Sequence, residues 1–345
     1  MDDKGPILGW LNVLEAHQAL GLELPVNLKF CLEGMEESGS VGLEEFVVQN
    51  KDKLFHDVDA VCISDNYWLG TNKPCVTHGL RGIAYFKLLI SGPAHDLHSG
   101  VFGGVVHEPM TDLVSIMSSL VSPQGKILVP GIEEQVAPLS DDELKVYDAM
   151  EFSISDIDNS TGSKSTISDK KSDVLMARMR NPSLSLHGIE GAFGEPGSKT
   201  VIPHKVTGKF SIRLVPNMEP SKVVEAVQKH VESEFSKLKS KNTMKLIPDH
   251  PGKPWCTDPK HWNYEAAFAA TEKIYGVRPD LTREGGSIPI TLTFADALQK
   301  NVLLLPMGRS DDGAHSTNEK LDLSNYIKGT QLLGTYLYEV AAVSE

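Results

Sequence analysis

Apolar side chains in the first part of the chain recur with two different periods. From Ile7 to Leu14 they recur every three or four residues, directly after Gly5-Pro6, which predicts a helix with proline in its first turn. Residues 25–32 alternate between apolar and polar side chains, which predicts a strand. Residues 42–54 return to the helical period, and the apolar run at residues 58–65 predicts a second strand. This order of elements is typical of a parallel sheet covered by helices.

The middle of the chain has the pattern of a smaller unit. Strand patterns occupy residues 84–90, 206–215 and 244–247. Amphipathic helical patterns occupy residues 110–120 and 221–238. Strands and helices in this succession predict a split βαβ, ferredoxin-like α+β domain.

The last part of the chain again combines helical patterns with a buried strand, as the first part does. Residues 262–274 and 323–343 have helical patterns, and residues 301–306 form a buried-strand run. A glycine turn at residues 285–289 and a polar loop at residues 311–316 flank that strand.

These patterns predict two domains, in keeping with a length of 345 residues. An α/β domain with a helix-covered, mainly parallel sheet is divided between residues 1–78 and 253–345. Residues 79–252 form the inserted α+β domain. Within it, residues 155–173 are rich in Ser, Asp and Lys, which predicts a mobile surface insertion.

The composition and charge limit which binding partners and which cellular compartment we expect. The net charge of -13, from 33 basic and 46 acidic residues, argues against nucleic acid or an anionic membrane as the main partner. No apolar run reaches the ~18 residues of a membrane span, and the chain opens without a basic-then-apolar leader. The cysteines lack Cys-x-x-Cys spacing, so we expect buried free thiols in a reducing compartment, by default the cytosol. They are Cys31, Cys62, Cys75 and Cys256.

The most informative polar feature is the adjacent pair Glu36-Glu37, in a glycine-flanked turn directly after the predicted strand at residues 25–32. Two adjacent carboxylates repel each other, and divalent cations would relieve that repulsion. One glutamate would then ligate a metal while the other acts as a base on a water molecule. An acidic surface turn is the alternative explanation of the pair.

Three further residues offer metal ligands at the ends of predicted elements or in loops near them. Together with Glu37, the side chains of Asp2, Asp65 and His315 make a mixed oxygen and nitrogen set that suits Zn²⁺ or Mn²⁺. Each also has a structural explanation. Asp2 would cap the first helix, Asp65 would stabilise a turn after a strand, and His315 would be a hydrogen-bonded loop histidine.

Several motifs, in order and over essentially the whole chain, resemble those of the M20 metallopeptidases, in the branch of the cytosolic non-specific dipeptidases and carnosinases. The shorter motifs are Asp2-x-Lys4-Gly5, Glu33-Gly34-Met35-Glu36-Glu37-Ser38-Gly39-Ser40, Ser64-Asp65-Asn66, Asp96-Leu97-His98-Ser99-Gly100 and Gly313-Ala314-His315-Ser316. The longer ones are residues 183–193, 199–203 and 208–216.

The resemblance implies a hydrolase that cleaves dipeptides with a free C-terminal carboxylate. Asp2 is similar to the carboxylate that bridges two metal ions. Glu37 and His315 match further ligands of one ion, and Asp65 matches a ligand of the other. Glu36 matches the general base that takes a proton from the attacking water and delivers it to the leaving amine.

The resemblance also implies a homodimer, formed through an inserted domain that acts as a lid. His98 matches a histidine that reaches across the dimer to stabilise the oxyanion, with Thr200 contributed across the same interface. Arg213, His250 and Ser287 match residues that line the pocket for the substrate carboxylate. Taken alone, His98 could cap a turn and Arg213 could be an edge-strand charge. We expect the nearby histidines to be structural, namely His95, His107 and His187.

The sequence departs from the family pattern at the second metal. Relatives carry a segment before Asp2 with a His-x-Asp motif, whereas none of the 12 histidines here precedes Asp with that spacing. We therefore expect a dinuclear metallodipeptidase whose leader segment is missing, with Asp2 and Asp65 as the ligands of an incomplete second site. The alternatives are a non-catalytic dimerising partner of a full-length subunit and a related aminoacylase.

Overall fold

The computed structural model describes residues 3–343, apart from the side chain of His250. The helices are α1 (Lys4–Leu20), α2 (Leu43–Asn50), α3 (Ser99–Phe102), α4 (Pro109–Ser118), α5 (Asp141–Ala149), α6 (Ile154–Thr161), α7 (Lys171–Met179), α8 (Pro220–Leu238), α9 (Trp262–Tyr275), α10 (Pro289–Leu298) and α11 (Leu323–Ala342). The strands are β1 (Ala60–Ile63), β2 (Cys75–Leu80), β3 (Gly82–Ser91), β4 (Leu97–His98), β5 (Ser183–Glu190), β6 (Val201–Ile202), β7 (Lys205–Leu214), β8 (Thr243–Gly252), β9 (Trp255–Cys256), β10 (Asp280–Glu284) and β11 (Asn301–Leu304).

The first sheet joins the two ends of the sequence, as an α/β domain divided in the chain requires. Its order is β1-β11-β2-β10, with β9 paired to β2. β1 runs parallel to β11 and β10 runs parallel to β2, whereas β2 is antiparallel to β11 and β9. Helices α1, α9 and α11 pack together, and their apolar side chains form a core with β2 and β11. The expected α/β class is confirmed, with a sheet that is mixed in the described part of the chain.

The strand predicted at residues 25–32 does not form, so that prediction is wrong for this structure. The segment lies opposite β1 across a groove of about 530 Å³, and β1 pairs only with β11 within residues 3–343. Lys29 fixes the segment by donating to the carbonyl of Leu54 at 2.6 Å and by contacting the Asp57 carboxylate. Alternating side chains favour a strand, but a strand also needs a neighbour that accepts its backbone hydrogen bonds.

The inserted domain has the predicted arrangement. Its sheet has the order β5-β7-β3-β8, with every neighbouring pair antiparallel, and α4 and α8 pack on one face. β3 alternates strictly between buried and half-buried residues, which places Phe86 against Phe210 with ring centroids 5.0 Å apart. Gly82 begins β3 where the chain leaves the first sheet, and a Cβ there would lie 2.3 Å from the carbonyl oxygen of Gly252. Glycine is thus required where the two connections between the sheets pass each other.

Residues 155–173 are more ordered than their composition suggests. Helix α6 begins with a capping box in which Ser153 and Asp156 each bond the other's backbone N–H. On either side of this stretch, α5 and α7 bury Tyr147 and Leu175 in a cluster that includes Trp68. The stretch is therefore helical at α6 and at the start of α7, and its mobility stays a prediction.

The four cysteines are free thiols, as expected, but Cys75 alone of them is buried, Cys31 and Cys62 are half-buried, and Cys256 is exposed, so the predicted burial is wrong for Cys256. Burial raises the pKa of Cys62 and of Cys75 to about 12. Among residues 3–343, no helix combines the length and the apolar character needed to cross a lipid bilayer.

Candidate active site

The Glu36-Glu37 pair lies in a tight turn. Glu36–Ser38 form a single 3₁₀ turn that ends at Gly39, whose φ of 89° is the left-handed conformation that glycine adopts without strain. The Ser40 N–H closes the turn on the carbonyl of Met35 at 2.8 Å. Adjacent residues of such a turn point about 120° apart. The two carboxylates therefore face different directions, with Glu36 half-buried and Glu37 exposed.

The turn meets the loop that carries His315. His315 Nε2 lies 3.2 Å from Glu37 Oε2, although the two residues come from opposite parts of the chain. His315 itself has a φ of 58°, which is uncommon for a residue with a side chain and marks a strongly constrained loop. The two side chains are 71% and 59% exposed, so this imidazole and carboxylate are accessible from solvent.

Three carboxylates close to one another hold the His315 loop in place. Asp312 is fully buried, and its Oδ2 accepts the backbone N–H of Arg309 at 2.8 Å. Lys320 donates to Asp312 Oδ1 at 2.9 Å and to Asp322 Oδ2 at 3.2 Å. Burial lowers the pKa of Lys320, but the hydrogen bonds to the aspartates outweigh it and raise the pKa overall. Asp311, Asp312 and Asp322 could by geometry hold a metal ion. Because Lys320 and Arg309 already pair with these carboxylates, they act as the scaffold of the loop.

Asp65 lies at the same edge of the sheet. It directly follows β1, and β11 runs parallel beside it, so both strands deliver their carboxyl ends to this edge. The chain after Asp65 is fixed because the N–H of Trp68 donates to the carbonyl of Gly308 at 2.9 Å. The next residue, Asn66, is buried and donates to Thr77 Oγ1 at 2.8 Å. Asp65 is thus half-buried on a rigid support beside the segment that leads to His315.

Two residues of the expected site fall outside the description. Asp2 lies before the described residues, so its expected bridging role stays a prediction. The backbone of His250 belongs to β8, and its side chain lies outside the described part.

His98 and Thr200 are brought together in the inserted domain. β4 and β6 pair antiparallel, with His98 opposite Val201, and the N–H of Ser99 donates to the carbonyl of Thr200 at 3.1 Å. His98 Nδ1 accepts the N–H of Gly100 at 2.9 Å, so the capping role considered above is also observed. When Nδ1 accepts, the neutral ring carries its proton on Nε2 and can donate from there. Of the other histidines, His187 has the expected structural surroundings, with Nε2 2.8 Å from Ser211 Oγ.

Arg213 belongs to a group of arginines where the two sheets meet. It lies on β7 opposite Ser183, and Ser183 accepts from Arg81 Nη1 at 3.3 Å. Arg81 also donates through Nε to the carbonyl of Gly285 at 3.2 Å, in the turn that carries Ser287. Burial, and then the charge of Arg213, lowers the pKa of Arg81 to about 10. Guanidinium groups that repel one another beside this turn favour an anion there.

Arg81 and Arg178 lie beside this turn but are not predicted as site residues from the sequence. Arg178 lies 3.9 Å from Glu284, and its backbone carbonyl would lie 3.2 Å from a Cβ on Gly285. The only local signal is the Leu80-Arg81-Gly82 turn between two strand patterns. It marks a connection between domains but does not reveal what the arginine contacts.

The comparisons with known proteins agree with this architecture. Residues 1–339 match the family described as peptidase family M20/M25/M40. The chain is 55% identical over 343 residues to the Cys-Gly metallodipeptidase dug1 of Schizosaccharomyces pombe, a match that covers 99% of this chain and 72% of that protein. It is 47% identical over 340 residues to the human Beta-Ala-His dipeptidase, covering 99% of this chain and 67% of that protein.

Two solved structures are also similar over nearly the whole chain. The dipeptidase Dug1p of Saccharomyces cerevisiae superposes with a TM-score of 0.92 at 55% identity, covering 100% of this chain and 72% of that one. Human carnosine dipeptidase 1 gives a TM-score of 0.90 at 46% identity, covering 99% of this chain and 72% of that one. The chain therefore belongs to peptidase family M20/M25/M40.

Proposed function

We propose that this chain is a metal-dependent dipeptidase that cleaves the peptide bond of dipeptides with a free C-terminal carboxylate. The observation that carries the proposal is the contact between Glu37 and His315 beside Glu36, in a member of a peptidase family. The names of its relatives, a Cys-Gly metallodipeptidase and a Beta-Ala-His dipeptidase, support dipeptides as the substrate class. Its free thiols are compatible with the cytosol, where we propose that it works.

The donor set fits divalent metal ions. A carboxylate oxygen and an imidazole nitrogen 3.2 Å apart, on two separate constrained loops, are ligand types that suit Zn²⁺ or Mn²⁺. Glu37, His315 and Asp2 would hold one ion, and Asp65 with Asp2 would hold the second with fewer ligands. When bound, such an ion supplies positive charge that lowers the pKa of water and polarises a carbonyl.

Glu36 would act as the general base. Its neighbour Glu37 faces the ligand side, while the 3₁₀ turn directs Glu36 elsewhere, so the two adjacent carboxylates can have different tasks. Glu36 takes a proton from the attacking water and returns it to the nitrogen of the leaving amine. A positioned base of this kind typically contributes ~10²–10⁴ in rate.

His98 and Thr200 would act across a homodimer formed by the inserted domains. Both are exposed, and the segment that follows His98 carries the exposed apolar side chains Val101 and Val105, which a partner could cover. His98, as an Nε2–H donor, would stabilise the oxyanion in the neighbouring site.

Arg213, Ser287 and His250 would bind the carboxylate of the substrate. Arg213 comes from the inserted domain and Ser287 from the other domain, so a carboxylate held between them would draw the lid toward the sheet. A guanidinium suits this task because its planar fork matches a carboxylate.

The test starts from the purified chain, stripped of metal by a chelator and reloaded with Mn²⁺ or Zn²⁺. We expect hydrolysis of Cys-Gly only in the reloaded protein, and no hydrolysis of an N-acetyl amino acid, which an aminoacylase would cleave. Glu36→Gln should lower kcat by ~10² or more. Glu44→Gln, on the exposed side of α2, is the matched control and should retain full activity. Equal activity of both variants would contradict the proposal.

A further inference from the structure

The ladder that carries His98 is short and lies at the surface. β4 and β6 contribute two residue pairs, Leu97 with Ile202 and His98 with Val201. Two pairs are too few to hold a ladder in one orientation, because a small two-stranded unit is only marginally stable by itself. We call residues 96–99 and 200–204 the His98 ladder.

Asp96 and His204 join the two strands of the His98 ladder at the end away from Ser99. Asp96 Oδ1 accepts the backbone N–H of His204 at 3.0 Å and also its side-chain Nδ1–H at 2.7 Å. The carbonyl of His204 in turn accepts the N–H of Gly92 at 2.9 Å, which connects this end of the ladder to the C-terminal end of β3. One carboxylate oxygen therefore fixes both the backbone and the ring of His204.

The charges around this pair favour the ionised carboxylate. The hydrogen bonds from the side chain and backbone of His204 hold the pKa of Asp96 below its usual range, and Lys199 adds a smaller effect of the same sign. Lys199 lies over the ring of Phe193, across a small groove of about 260 Å³ that Asp96 also lines. Asp96 and His204 are 53% and 47% exposed, so their pairing adds little to global stability.

We propose that Asp96 and His204 are positioning residues that fix the orientation of His98 and Thr200. This inference rests on the proposed function, in which His98 donates a hydrogen bond to the oxyanion. A donor displaced by about 1 Å can cost on the order of 10²-fold in rate. A change in the orientation of the His98 ladder would therefore lower activity without unfolding the protein.

Four variants separate the contacts. Asp96→Ala removes both hydrogen bonds and should lower kcat by about 10- to 100-fold with little change in KM. His204→Gln removes only the bond from the ring position and should lower kcat by about 10-fold. His204→Asn places an amide nitrogen where Nδ1 lies, so it should restore most of the activity. Asp96→Asn keeps an oxygen acceptor without the charge, and it should fall between the wild type and Asp96→Ala.

The control and a second measurement keep the inference independent of activity. Glu234→Gln removes an i,i+3 ion pair with Lys237 on α8 of the same domain, and should change nothing. Amide hydrogen exchange at residues 97–99 and 200–202 should be faster in Asp96→Ala and His204→Gln, but not in His204→Asn or Glu234→Gln. Thermal unfolding and the elution volume should be unchanged in all of them.

The outcomes divide as follows. Unchanged exchange in Asp96→Ala overturns the inference, as does faster exchange with unchanged kcat in an active enzyme. A loss of kcat that His204→Asn does not restore overturns it as well. If the wild-type chain hydrolyses no dipeptide, the proposed function fails. Amide hydrogen exchange alone then decides whether Asp96 and His204 order the His98 ladder.

Discussion

Removing the ammonium group of Lys320 should loosen the loop that holds His315. Lys320 Nζ lies 2.9 Å from Asp312 Oδ1 and 3.2 Å from both Asp311 Oδ2 and Asp322 Oδ2. Asp312 is 0% exposed, so Lys320→Met leaves a buried carboxylate without its cation.

The size of the effect follows from burial on the two sides of the pair. Breaking a buried ion pair by removing one partner costs about 3–5 kcal/mol. Lys320 is 41% exposed, however, and the Arg309 guanidinium stays 3.1 Å from Asp311 and 2.9 Å from Asp322. With this screening we expect a loss of about 2 kcal/mol in the free energy of unfolding. Adding Asp312→Asn to Lys320→Met should recover part of that loss, since a neutral amide does not need a cation.

Urea denaturation at pH 7, with Lys300→Met as a control at an exposed position, measures this difference. Because the folded pKa of Lys320 is raised, its contribution is complete below the ordinary lysine pKa and is lost only as the pH rises through the folded value. The metal affinity should fall together with stability, since Asp312 lies three residues before His315. Equal unfolding free energies for Lys320→Met and Lys300→Met would refute this view of the loop.

Three other substitutions test separate parts of the structure. Arg213→Gln should raise KM for dipeptides about 10- to 100-fold, which corresponds to the loss of one hydrogen bond to a charged group. KM for dipeptide amides, which lack the carboxylate, should stay nearly unchanged. Equal shifts for both substrates would contradict the proposal that Arg213 binds the substrate carboxylate. Burial, and then the charge of Arg283, lowers the pKa of His78 to about 4 from 6.5, so its neutral form stabilises the fold above about pH 6.5 and that stability is lost as the pH falls. Between pH 7.5 and pH 5, His78→Gln should therefore lose about 2 kcal/mol less stability in urea titrations than the wild type, and parallel pH profiles would exclude this. Gly82→Ala should destabilise by about 2 kcal/mol because its Cβ meets the Gly252 carbonyl, whereas Gly188→Ala, with no atom within 4 Å, is the matched control; equal melting temperatures would contradict the close approach.

The sequence predicts where these residues lie when a local pattern has a necessary spatial consequence. Asp65 and the loop of His315 follow two apolar runs, and parallel pairing of β1 with β11 brings their ends to one edge. The turn around Glu36 and Glu37 follows from its flanking glycines, and the contact of Glu37 with His315 agrees with the expected grouping. The roles of these residues stay predictions.

Other features depend on partners that no local pattern reveals. Residues 25–32 alternate like a strand, yet a ladder also requires a neighbour, and β1 has only β11 beside it within residues 3–343. The polar composition around residue 160 conceals the reciprocal bonds of Ser153 and Asp156. Arg81 contacts Gly285, which is distant in sequence, so its place beside the expected carboxylate pocket is visible only in the folded molecule.

The segment opposite β1 has a thermodynamic consequence for the proposed metal ligands. His315 and Asp65 follow strands with hydrogen-bonded neighbours. Glu36 and Glu37 instead follow residues 25–32, which make no ladder within the described chain. If Glu37 binds a metal ion as proposed, that binding carries the conformational entropy cost of ordering residues 25–32, which binding by His315 does not carry. On this proposal, residues 25–32 should resist proteolysis more strongly as the metal concentration rises.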